Sequence, residues 1–169
     1  MNMDLGSVPQ WITAAIAAGA LFAAYLSIQS QREIARKRAA MDFFAKTEMD
    51  KNTLDQHKQF KEAIEKLKEY SGKSRKIEEF VESEKDEYWA IRDYLNLHEL
   101  VGVGINQEVF DDNVCYDFWS GEMRRARRDT KELVDYIQSL PDEKDTYCEF
   151  VEVAMRWHGR DEVKGRAIG

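Results

Sequence analysis

The chain has 169 residues, enough for one membrane-length segment and a single domain of about 130 residues. Its 32 acidic residues outweigh 25 basic ones, a formal charge of −7, which argues against general nucleic-acid binding, since phosphate neutralisation needs a positive surface. With 2 prolines, 9 glycines, 2 cysteines and 34% charged residues, a turn-rich sheet protein and a disulfide framework are excluded and long helices favoured.

Val8 to Ile28, VPQWITAAIAAGALFAAYLSI, carries no charged side chain. A helix rises about 1.5 Å per residue, so this stretch meets the ~30 Å hydrocarbon core of a bilayer. Trp11 and Tyr25 near its ends suit the headgroup level, and the basic cluster Arg32, Arg36, Lys37 and Arg38 follows at once. Asp4 is the only charged side chain before Arg32. The positive-inside bias therefore places residues 1–7 outside as a short extracytoplasmic N-terminus and the long remainder in the cytoplasm. A signal peptide would want positive charge ahead of the apolar run, and an interfacial helix would want a polar face. The segment is Ala-rich, so a buried helix of a soluble bundle is the remaining competitor to a transmembrane helix over residues 8–28. Ala15, Gly19 and Ala23 recur at four-residue spacing, the small-residue pattern through which two membrane helices can approach.

Residues 29–50 continue without a breaker as a basic stalk helix, with Ile34, Ala35, Met41, Phe44 and Ala45 as a loose apolar stripe. Its cations would also hold the anionic headgroups of membrane lipids. Asp50, Asn52 and Thr53 then offer a break and an N-cap, opening a cytoplasmic bundle over residues 51–158. Leu54 to Tyr70 is the first predicted bundle helix, with Phe60, Ile64 and Leu67 apolar; Gly72 would supply a left-handed cap and Lys73 to Lys76 a polar connector.

The next helix, about Lys76 to Gly102, has the clearest period: Ile77, Val81, Glu84, Tyr88, Ile91, Leu95 and His98 follow steps of four and three. Val101 to Gln107, VGVGINQ, closes it; a phosphate loop would need a third glycine, a following Lys-Ser/Thr and a preceding strand. Asp111 and Asp112 suit the N-cap and first turn of a helix running from about Asn113 to Leu140. There Trp119, Met123, Ala126, Thr130, Leu133, Ile137 and Leu140 repeat the four-three seam, so it can pair along its length with the preceding helix. Pro141 stops it, Asp142 starts a last helix to about Trp157, and residues 159–169 form a polar tail. Period-two alternation is absent, so the fold class is all-α: a transmembrane helix, its stalk and an antiparallel helical bundle.

Chemistry is harder to locate. There is no HExxH or inverse, and Gly102 stands where a second histidine would follow His98–Glu99. His57, His98 and His158 fall on different predicted helices, and Cys115 and Cys148 suit small buried side chains. The densest polar set is Asn96, His98, Glu99, Asp111 and Asp112. It either cross-links and caps helices, or gathers carboxylates for a divalent metal or acid–base work. Bundle metal sites use a Glu-x-x-His pair on each of two helices, which this chain lacks, so no cofactor is required. Arg124, Arg125, Arg127 and Arg128 form a basic patch. On a helix they cover more than one face, which suggests that they do not all meet one ligand. They suit a solvated face, or a docking surface for an acidic partner, anionic lipid or nucleic acid.

The order of AAMDFF (Ala39 to Phe44), YLNLHELVGVGI (Tyr94 to Ile105) and VFDDNVCYDFW (Val109 to Trp119) behind the apolar helix resembles a bacterial and prophage family of membrane-associated proteins, the domain of unknown function numbered 4760. The resemblance spans about Trp11 to Trp157, and its specific part is Tyr94–Leu95–Asn96, Glu99 and the glycines that follow. It implies architecture and location rather than a reaction. The expected protein is a single-pass, inner-membrane interaction or sensing module with a protein partner or a second copy. The phage setting it implies makes exclusion or defence the associated roles.

Overall fold

A computed structural model describes residues 8–73 and 75–167, and the expected extracytoplasmic N-terminus, residues 1–7, lies outside the described residues. Seven helices and no strand make up the described chain, so the fold is all-α.

The first helix, α1 (Val8–Met49), is unbroken over 42 residues and carries both the apolar and the basic stretch. It is long and apolar enough to cross a membrane, and none of its apolar window is buried inside the molecule. Trp11, Ile16, Leu21, Phe22 and Leu26 all project from it exposed. Burial begins only in the basic half, at Arg36, Ala40, Phe43, Phe44 and Thr47. Those residues recur at three- and four-residue spacing, one face of a helix laid against the bundle.

Asp50 caps α2 (Lys51–Gly72), its carboxylate accepting from the Thr53 amide at 3.3 Å and hydroxyl at 2.9 Å. Gly72 is not left-handed; α2 passes through it and ends at Lys73, with φ −91°. The long helix predicted next is two, α3 (Ile77–Ser83) and α4 (Lys85–Asn106), separated at Glu84. The Glu84 carboxylate accepts from the Tyr70 hydroxyl at 3.1 Å and meets Lys66 of α2, which fixes the break from outside the local sequence. α4 also runs on past Gly102 to Asn106. Along the predicted seam Tyr88, Ile91, Leu95 and His98 are buried, whereas Ile77, Val81 and Glu84 stay partly exposed.

The following helix is likewise divided, into α5 (Asp112–Asp129) and α6 (Lys131–Ser139), at the fully buried Thr130. Its hydroxyl donates to the Ala126 carbonyl at 2.7 Å, a back-bond of the kind that bends helices. The last helix, α7 (Cys148–Ala167), starts at Cys148 rather than Asp142 and continues through most of the stretch expected as a tail. Between α6 and α7, Glu143 holds Arg92 of α4 by two hydrogen bonds of 2.9 and 3.0 Å.

The core is centred on α4, which packs between α2 and α7; α5 lies on α7 and on the stalk half of α1. The expected pairing of the third and fourth helices survives in two pieces, α4 against α5 and α3 against α6, beside the closer packing of α4 on α2 and α7. Arg36 pairs with Glu108, and Phe44 stacks on Phe118, so α5 runs in the same direction as the stalk. The turn at residues 107–111 therefore sits toward the apolar half of α1, and Arg124 to Arg128 lie at the opposite end of the bundle.

Candidate functional site

The five polar residues of the central cluster are distributed over separate tasks. Glu99 projects from α4 onto the N-terminus of α7, accepting from the Phe150 amide at 2.8 Å and the Glu149 amide at 3.4 Å. Burial pushes its carboxyl above the ordinary value, while the two amides oppose that shift. Asp111 caps α5 by accepting from the Val114 amide at 3.0 Å. Asp112 accepts from the Trp157 indole at 2.9 Å and faces Arg156 and Arg160, each at 3.4 Å, so it ties α5 to α7. Asn96 is exposed, on the outer face of α4.

His98 is fully buried. Its Nδ1 lies 3.0 Å from the Tyr94 carbonyl, its ring stacks on Trp119 at 5.0 Å, and Tyr94 and Phe150 meet it edge-on. Burial holds its pKa down to about 4, so the ring is neutral and its Nε2 has no partner. His57 in turn stacks on Tyr94 at 5.2 Å, which joins two histidines that sequence spacing left unrelated. Among the described residues, no group of three or more His, Cys, Asp or Glu is placed to hold a metal ion. Of the two cysteines, Cys115 is buried, with its thiol pushed up to about 12, but Cys148 is exposed, contrary to expectation. It sits in the first turn of α7, with the Gln138 amide of α6 at 3.9 Å from its sulfur.

The two glycines of VGVGINQ serve packing. A Cβ at Gly102 would lie 2.7 to 2.9 Å from backbone atoms of Glu149 and Phe150, so its absence lets α7 approach α4. At Gly104 a Cβ would lie 2.3 Å from the Phe110 ring, which fills that space and packs on Phe43 of the stalk.

The arrangement most able to receive a ligand is a groove between α5 and α7, of about 650 Å³, lined by Gly121, Arg124, Arg125, Arg127, Arg128, Ala154, Met155 and His158. All four arginines of the basic patch border it, which corrects the expectation that their spread around α5 keeps them from one ligand. The second wall, supplied by α7, and the reach of the guanidinium groups bring them to a common space. No local sequence signal reveals this, because α7 arrives from 26 or more residues away in the chain, as Ala154 follows Arg128.

A family model described as domain of unknown function DUF4760 matches residues 13–157. No curated protein and no solved structure matches the chain.

Proposed function

The chain belongs to the DUF4760 family, and we propose that it is a single-pass protein of a bacterial inner membrane, N-terminus outward, whose cytoplasmic bundle is an interaction and sensing module. One observation carries this reading: α1 is bare along its apolar half and packed into the bundle along its basic half, within one unbroken helix. A rigid stalk, unlike a flexible linker, holds the bundle at a fixed height and orientation beneath the bilayer. The basic residues Arg32, Arg36, Lys37 and Arg38 on that stalk support the inward placement of the bundle.

The outer face of α4 is the docking surface we assign to a protein partner. Trp89 and Leu100 are 54% and 52% exposed there, and Asn96 lies between them at helical spacing. Exposed aromatic and aliphatic side chains beside a polar one suit the centre of a protein interface. Co-purification from native membranes tests this, comparing the full chain with the Trp89→Glu/Leu100→Glu variant. A specific protein that accompanies the first and is lost from the second is the expected result. A partner retained by both variants, or none with either, overturns the assignment. The biological role we attach to the module is phage exclusion or defence. Plating of phage on cells with and without the chain tests that role, and equal plating counts against it.

A further inference from the structure

We propose that the groove between α5 and α7 binds a small soluble ligand with two or more adjacent phosphate groups and an apolar or planar portion, in the class of nucleoside di- and triphosphates. This deepens the sensing half of the proposed function by naming what is sensed.

Charge is the first argument. The chain is acidic overall, yet the residues bordering this groove include four arginines and His158 and no carboxylate. Guanidinium groups carry five donors in a planar fork and pair with phosphate oxygens two at a time. Arg125 holds Glu122 at 2.7 Å and Arg128 holds Asp129 at 2.8 Å, each through one nitrogen. Arg127 meets Asp135 through Nη2 at 3.5 Å, while its Nη1 is buried without a partner. That buried nitrogen has no surface open to the groove, so the accessible forks of Arg125 and Arg128 carry the contact.

Shape and location set the ligand class. A volume of about 650 Å³ lies within the range of small-molecule sites. Gly121, Ala154 and the exposed Met155 give it an apolar floor, against which a planar group can lie with arginine stacked above. Lipid is too far away. Arg36 stands roughly 12 Å beyond Ile28 along the helix, and α5 carries the arginines roughly 20 Å further, about two Debye lengths. A long nucleic acid would need an extended basic track, whereas Glu122, Asp129 and Asp135 flank this one.

The test is isothermal titration calorimetry of the full chain in detergent micelles with adenosine triphosphate as probe. No membrane or partner takes part, so its failure is distinct from failure of the docking surface on α4. Saturable binding that inorganic pyrophosphate competes away is expected, weakened about tenfold or more in Arg125→Gln/Arg128→Gln. Those side chains are 59% and 71% exposed, so the variant should keep its thermal midpoint. Arg32→Gln/Arg38→Gln on the stalk should bind as the parent does. The proposal is overturned by no saturable binding at about 1 mM probe, or by binding that the groove variant leaves unchanged. It is equally overturned if only a single-stranded RNA or anionic vesicles bind through these arginines.

Discussion

The carboxylate of Glu99 accepts the backbone N–H of Phe150 at 2.8 Å, across 51 residues of chain, and so caps a helix to which it does not belong. α7 needs such an acceptor, because Tyr147 just before it, left-handed at φ 64°, has no short side-chain oxygen to offer the first amides, its phenol donating instead to the Arg92 carbonyl at 3.2 Å. The first amides of a helix have no partners of their own, and a carboxylate also favours the positive end of the helix dipole.

Replacing that oxygen should therefore matter more than removing its charge. Burial already raises the Glu99 carboxyl, so the charge is partly a cost, and Glu99→Gln keeps one acceptor at the site. We expect Glu99→Gln to change stability by under about 1 kcal/mol and Glu99→Ala to lose about 1–2 kcal/mol, the usual scale of a lost N-cap. Urea denaturation measures both. Hydrogen exchange should show the Phe150 amide less protected in Glu99→Ala but not in Glu99→Gln, and equal protection in all three proteins would mean the cap contributes nothing.

Gly102 and Gly104 should respond differently to alanine. At Gly102 the obstructing atoms are backbone of Glu149 and Phe150, which cannot rotate aside, so Gly102→Ala must push α7 off α4. Overpacking of this kind costs about 1–3 kcal/mol or more. At Gly104 the obstruction is the Phe110 side chain, so Gly104→Ala should be rescued in part by Phe110→Ala, whereas Gly102→Ala should not. A double-mutant cycle by thermal denaturation checks this.

These contacts show what the sequence could and could not disclose. The seam from Tyr88 to His98 was legible because burial of one helical face imposes its own period, and the same holds for Trp119, Met123 and Ala126. The interruptions at Glu84 and Thr130 were not, because neither glycine nor proline marks them. One is held by Lys66 and Tyr70 of another helix, the other by a side-chain bond to Ala126. The start of α7 falls at Cys148 rather than at Asp142 for the same reason: its cap is Glu99, and no residue near Cys148 announces it. Charge patterning located the arginines but could not show the wall opposite them.

His98 gives the bundle a pH dependence that a neutral replacement should remove. Its pKa falls from 6.5 to about 4 on folding, chiefly through burial, so the unfolded chain binds a proton that the folded chain refuses. Stability from this group is complete above the unfolded value and declines as pH drops from 6.5 toward 4, by about 3 kcal/mol in all. His57 is shifted in the same direction, whereas Glu99, whose carboxyl is raised, works the opposite way; both persist in a His98 variant. The difference between parent and His98→Phe therefore isolates His98. Phe keeps the stack on Trp119 and removes the unpartnered Nε2, so we expect equal or higher stability at pH 7 and a flatter profile between pH 6.5 and about 4.5. Parallel profiles for the two proteins in urea would show that the ring titrates freely.

The joint between stalk and bundle can be divided into a polar and an aromatic part. Arg36 pairs with Glu108, but both side chains are substantially exposed, and such pairs contribute about 0–1 kcal/mol. Phe44 is buried, stacks on Phe118 at 5.6 Å and meets Trp119 at 5.4 Å. Removing its ring leaves a cavity where α1 and α5 meet, a change that costs about 3–5 kcal/mol in a well-packed site. Arg36→Gln should thus leave both stability and stalk geometry nearly unchanged, while Phe44→Ala should weaken the bundle and free the stalk. Spin labels at Lys37 and Asp117, exposed on the two helices, provide the readout. We expect one narrow distance distribution for the parent and Arg36→Gln, and a broad one for Phe44→Ala. A distribution that stays narrow in Phe44→Ala would place the rigidity in α1's remaining contacts, Ala40 and Phe43, rather than in the Phe44 ring.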